Sequence, residues 1–97
     1  MGLKSDEFAD YVESVFRRQN EVASALALEL ESEDPDSERY GELDAAELRV
    51  LNDCVGINEL AARQRDGEPL GGLKALRRAR QAPECERATV AAAALQQ

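Results

Sequence analysis

The 97-residue chain has no histidine and no tryptophan, only three prolines, two cysteines and four aromatics. Without histidine, Ser-His-Asp and Cys-His catalysis, HExxH-type zinc sites and phosphohistidine relays are all excluded. The sequence therefore points away from an enzyme, and no cofactor or metal centre is expected. It has no run of about 18 apolar residues, and the amino terminus lacks the apolar stretch of a signal peptide. A cytoplasmic, unanchored protein is the expectation. Cys54 and Cys85 form neither a CxxC pair nor a disulfide framework, and two buried, reduced thiols are expected.

Large apolar side chains are scarce as well. Leu, Ile, Val and Phe together number 21, about 22% of the chain, just above the roughly 20% below which a highly charged chain is expected to be disordered. A further 16 apolar residues are Ala, which favours helix but buries little area. One thin core in one domain follows, and so thin a core favours a homodimer.

The apolar positions that do exist are spaced for helices. From Ser5 to Glu31 no Pro or Gly interrupts, and Phe8, Val12, Val15, Val22 and Leu26, with Phe16, Ala23 and Leu30 alongside, make a wide apolar face. Gln19 interrupts that stripe where a polar side chain can set register between copies, though the edge of the face, partly exposed, suits it too. Residues 32–43, rich in acids and turn formers, read as a linker. A second helix is predicted over 45–65, with Asp44 as N-cap, Glu47 completing a capping box and Leu43 stapled onto Leu48. Its two apolar lines, Leu48, Leu51, Val55 and Ala62 beside Val50, Cys54, Ile57 and Ala61, predict a central helix covered on both. Basic residues and Gly67 stop it. A third helix over 70–81 turns Leu70, Leu73, Leu76 and Ala79 inward, and a fourth over 84–95 follows Pro83, which either kinks or separates the two. Gly56, inside the second helix, calls for close approach of a neighbour. The fold class is an all-α bundle of three to four helices with a long N-terminal helix, expected to be dimeric.

Charge is divided unevenly along this bundle. The net charge is -8, but residues 1–48 hold 14 acids and 4 bases while residues 49–97 hold 6 acids and 8 bases. Asp34, Asp36 and Glu38 match the first positions of a calcium loop, but Arg39 stands where Gly is required and Ala45 where the bidentate Glu belongs. A solvated acidic linker is the better reading. Lys74, Arg77, Arg78 and Arg80 form a basic cluster, yet an acidic domain is repelled by phosphate, and pairing of Arg77 and Arg78 with carboxylates of a neighbouring helix or subunit is preferred.

By elimination and analogy, these features favour a non-catalytic protein-binding regulator, concretely an antiactivator that occludes a transcription factor through an apolar helical face and an acidic surface. The candidate partner contacts are Tyr40, Glu31, Asp34, Asp36, Glu38 and Leu30. Phe16, Gln19, Arg77 and Arg78 are the candidates for dimer contact or charge pairing. The alternatives are a chaperone or immunity protein for a secreted effector, and a nucleic-acid-binding domain using residues 74–80.

Overall fold

The computed structural model describes residues 5–68 and 71–96. Those residues form five helical segments, with no strand among them: α1 (Ser5–Ser32), α2 (Glu38–Asp53), α3 (Val55–Arg65), α4 (Gly72–Ala79) and α5 (Ala82–Leu95). Pro69 and Leu70, at the expected start of the third helix, lie outside the described residues.

The connection between α1 and α2 is five residues long, not the expected twelve. Ser37 is the N-cap: its backbone is extended, and its hydroxyl accepts the Tyr40 amide at 3.0 Å while donating to the Asp34 carbonyl at 2.7 Å. The Asp36 amide in turn donates to the Asp34 carboxylate at 3.0 Å. Asp44 is therefore not a cap but an interior residue of α2, and Tyr40 belongs to the first helical turn, not to a linker. Two start signals compete here, and the earlier one wins because it lets Leu43 join the core as a helical residue. Ser37→Ala is expected to cost about 1 kcal/mol, the usual worth of an N-cap. Asp44→Ala, by contrast, should change stability little; urea denaturation of the two variants compares them directly.

The predicted second helix is also divided. Cys54 interrupts it with φ -102° and ψ 5°, the sparsely allowed bridge region. Its amide still bonds to the Val50 carbonyl and its carbonyl still accepts the Asn58 amide, both at 2.9 Å. The result is a kinked rod with no gap. Its sulfur is bonded to Cys85, near the start of α5, across 31 positions of sequence. The expectation of two reduced thiols is thus overturned, because separation along the chain says nothing about separation once α2 and α5 pack together. Beside this junction lies Gly56, where a Cβ would overlap the Gln81 side chain and meet Arg78 Cδ at 3.3 Å. The close approach comes from the turn between α4 and α5. Further on, α3 ends at a left-handed Gly67 with φ 76°, closed by a Glu68 amide to Arg63 carbonyl bond of 2.9 Å.

Pro83 sits in the first turn of α5, where its missing amide costs nothing. The helix break lies before it, at Arg80 and Gln81, so α4 and α5 are separate helices.

The core consists of Val15, Val22 and Leu26 of α1, Leu43 and Val50 of α2, Ile57 of α3, and Ala82, Cys85, Ala88 and Ala92 of α5, with Cys54 among them. Gln19 is 4% exposed, and its Oε1 has no hydrogen-bond partner among the described residues. It lies inside this chain's own core, so it is neither an edge residue nor a surface contact for a second copy. α4 packs on α3 and buries only Ala79. The Cα extents are 45 × 29 × 16 Å and the radius of gyration is 14.8 Å, against about 12.5 Å expected for a compact domain of this length. α1, α2 and α5 each pack on the other two as a small elongated three-helix bundle, and α3 and α4 pack on each other as an added hairpin.

Candidate functional site

At one end of the bundle, the acidic residues singled out from sequence are divided between structural and exposed roles. α1 carries Glu29 and Glu31 near its C-terminus and no basic residue in its last turn, which sets negative charge against the negative end of the helix dipole. Arg39 of α2 offsets this. Its Nη2 donates to Glu29 Oε2 and to the Leu95 carbonyl, each at 2.8 Å, and its Nε lies 4.0 Å from Glu33. One guanidinium thereby ties α1, the turn and the end of α5 together and satisfies a carbonyl that α5 leaves without an intrahelical donor. Sequence reading meets Arg39 only as the residue that breaks a calcium-loop pattern; its planar five-donor geometry among carboxylates was the available signal. Glu31, Asp34, Asp36 and Glu38 are exposed, Leu30 and Tyr40 half-buried.

From that end, an apolar line runs along α2 and onto the first residue of α3, left exposed among the described residues. Leu48, Leu51 and Val55 are 58%, 50% and 63% exposed, although the sequence predicts both apolar lines of this helix to be buried. The other line alone, Val50, Cys54 and Ile57, reaches the core, because in a bundle this small the helix turns only one face to its neighbours. Asp44 and Glu47 are half-buried next to the exposed line, and Glu38 and Glu42 lie exposed towards the start of the same helix. Arg49 lies 3.5 Å from Asp53.

At the other end, α1, α3 and α4 enclose an open groove of about 760 Å³ lined by Phe8, Val12 and Phe16, by Leu60 and Ala61, and by Leu76. Charge of both signs borders it: Asp10 and Glu13 on the α1 wall, Arg65 at the α3 end. Leu73 and Leu76, expected inside, are 70% and 40% exposed, since α3 is the one substantial neighbour of α4 among the described residues. At 1.5 Å per residue, Val12 and Glu29 lie about 25 Å apart along α1. The groove and the acidic turn are therefore two surfaces, not one.

Of the basic cluster, Arg78 is engaged within the chain: its Nε donates to Glu59 Oε1 of α3, and that hydrogen bond holds the Glu59 carboxyl below its ordinary pKa. Arg77 and Arg80 are exposed. At the α1–α5 contact, Tyr11 donates its hydroxyl to Glu86 Oε1 at 2.8 Å; burial, aided by that carboxylate, pushes its pKa up to about 12. Because the folded state keeps this proton more tightly than the unfolded chain, stability is whole below the ordinary tyrosine value and falls as pH rises from about 10 to about 12. Tyr11→Phe should flatten the decline in melting temperature across that interval.

Among the described residues, no group of three or more His, Cys, Asp or Glu could hold a metal ion, and no helix is long and apolar enough to cross a membrane. No protein-family model, curated protein or solved structure matches this chain.

Proposed function

We propose that the chain is a non-catalytic protein-binding regulator whose α2 face receives a basic, amphipathic helix of another protein. The observation that carries this reading is the exposed pair Leu48 and Leu51 of α2, continued by Val55 at the start of α3, with Asp44 and Glu47 beside them on α2. Three large apolar side chains at helical spacing match the way a partner helix anchors in a groove. The surrounding carboxylates select basic flanks on that partner and repel acidic ones. Because Arg49 already faces Asp53, the face stays strongly acidic. A basic helix is also what a transcription factor offers to DNA, so the specific form of the proposal is an antiactivator: bound to α2, the partner's helix is unavailable to phosphate, and Glu31, Asp36 and Glu38 repel nucleic acid from the complex.

The Cys54–Cys85 disulfide favours a second reading, since such bonds persist mainly in oxidising compartments. There the partner would be a secreted effector, and the chain its chaperone or immunity protein.

The test is tagging in the native host, capture after nuclease treatment at low and raised salt, and reconstitution with the purified partner. The expected result is one stoichiometric partner with a basic helix, retained by wild type and bound on the order of 30-fold more weakly by Leu51→Glu, the loss typical of an interface hot spot. Release of that partner from its DNA by added chain supports the antiactivator, whereas an effector without DNA supports the second reading. A partner held equally well by Leu51→Glu, or nuclease-sensitive nucleic acid as the sole associate, overturns the proposal.

A further inference from the structure

The Cys54–Cys85 bond joins the two places where the α3–α4 hairpin meets the rest of the chain. We infer that it is a redox-controlled lock on a hinge: while the bond is intact the hairpin is held beside α1, and its reduction lets α3 and α4 swing away together while α1, α2 and α5 stay packed.

Packing separates the two bodies. α1, α2 and α5 pack on one another around Val22, Leu26, Leu43, Val50 and Ala92. α3 and α4 pack on each other, and the Arg78–Glu59 ion pair ties them side chain to side chain. The groove follows this pair from Ile57 to Arg65 on α3 and from Gly72 to Ala79 on α4, so a trough, not a packed seam, lies between it and α1. The residues that the pair does bury, Gly56, Ile57 and Ala79, all sit beside the points where the chain leaves the bundle and re-enters it.

Both points are breaks in helix. On leaving, the chain breaks at Cys54, and among the described residues the backbone bonds that span the break run from the Cys54 amide to Val50 and from the Asn58 amide to Cys54. A regular helix would also bond the amides of Val55, Gly56 and Ile57 across it. On returning, the chain breaks at Arg80 and Gln81. Cys54 is the first break itself, and the amide of Cys85 donates to the Gln81 carbonyl at 3.0 Å in the second. The disulfide therefore fastens one hinge point to the other. Gly56 against the Gln81 side chain is a non-covalent contact at the same level, made by a residue with no side chain to hold it.

Unlocking is thiol–disulfide exchange with a dithiol reductant. One of its thiolates attacks a sulfur of the pair, the S–S bond breaks and a mixed disulfide forms; its second thiolate then displaces the remaining protein sulfur. Two electrons and two protons pass to the chain, which gains two thiols, and the reductant leaves as a cyclic disulfide. Cys54 and Cys85 are fully buried, so attack waits on a local opening of the junction and the locked form persists once folded. One consequence rests on the proposed function: Leu48 and Leu51 stay with α2 while Val55 moves with α3, so the docking line is continuous in the oxidised chain and broken in the reduced one.

Nuclear magnetic resonance of the full chain, with and without dithiothreitol, and of the double variant Cys54→Ala, Cys85→Ala provides the test. In the reduced chain and in the variant, cross-peaks between side chains of α1 and α3 should be lost, while those joining α1, α2 and α5 and those joining α3 to α4 remain. The same spectra in trimethylamine N-oxide, which favours buried states, cover the case in which the unlocked chain is too unstable to stay folded. Retention of the α1–α3 cross-peaks on reduction overturns the inference, since packing then holds the hairpin. Loss of all three sets together, in the osmolyte as well as without it, also overturns it, because the bond is then a staple for the whole fold. No partner enters this measurement, so its failure leaves the proposed function to the Leu51→Glu test, and failure of that test leaves the hinge standing.

Discussion

Replacing both Cys54 and Cys85 with alanine is expected to lower the melting temperature by roughly 15–25 °C. The bond joins positions 31 apart, and closing a loop of that length removes enough unfolded-chain entropy to be worth about 3–4 kcal/mol. In a domain of this size each kcal/mol moves the midpoint by about 4–8 °C. Alanine is the right replacement because both sulfurs are fully buried and a serine hydroxyl would lack assured partners there. The loss should be felt first where α2 meets α3, since the bond anchors that kink to α5. Thermal unfolding followed by circular dichroism, for wild type with and without reductant and for the double variant, measures it. Coincident curves would show that packing alone holds the junction.

Leu43→Ala is expected to cost about 3–4 kcal/mol, in the range of fully buried leucines that leave a partly collapsed cavity. Leu43 is 0% exposed and belongs to the cluster joining α1, α2 and α5. In so thin a core, few neighbours can move to fill the space. Leu48→Ala, five residues on along the same helix, should stay within about 0.5 kcal/mol, because its side chain is mostly in water. Urea unfolding with the slope held common to all variants separates the two cases. Equal losses would mean that Leu48 is covered in solution, which places a second copy or a partner on α2.

The contrast between Leu43 and Leu48 shows how far the sequence is readable. Both sit in one segment of good helical periodicity, and sequence assigns Leu43 to a loop as a staple and Leu48 to the core. The structure gives them the opposite environments. The mistake has a physical origin in two overlapping N-cap signals, Ser37 and Asp44, that differ little in local energy; helix docking chose between them. α4 shows the same effect. Its leucines have the spacing of an inward face, but α3 is its only substantial neighbour, so Leu73 remains in water.

The acidic candidates were legible as residues but not as roles. Asp34 shapes a turn and Glu29 and Glu33 answer Arg39, whereas Glu31, Asp36 and Glu38 stay at the surface. The α2 line was visible as a pattern and hidden as a site, because periodicity reports that a stripe exists and not whether anything covers it. Phe16, expected at a dimer contact, lines the groove, and Arg77 lies exposed on α4.

By itself, the sequence determined what acts within a few residues: an all-helical chain, the stop at Gly67, the turn chemistry around Asp34 to Ser37, the tolerance of Pro83 in a first helical turn, and the division of charge between the two halves. Tertiary structure decided what depends on residues far apart in the chain: the joining of Cys54 to Cys85, the burial of Gln19, the kink at Cys54, the exposure of Leu48, Leu51, Val55 and Leu73, and the groove between α1 and α4. The reason is one of range. Caps, dipoles and backbone preferences are settled by neighbours within a helical turn, whereas burial is settled by which helices dock, and in a bundle this small an apolar line turned away from the neighbouring helices stays in water.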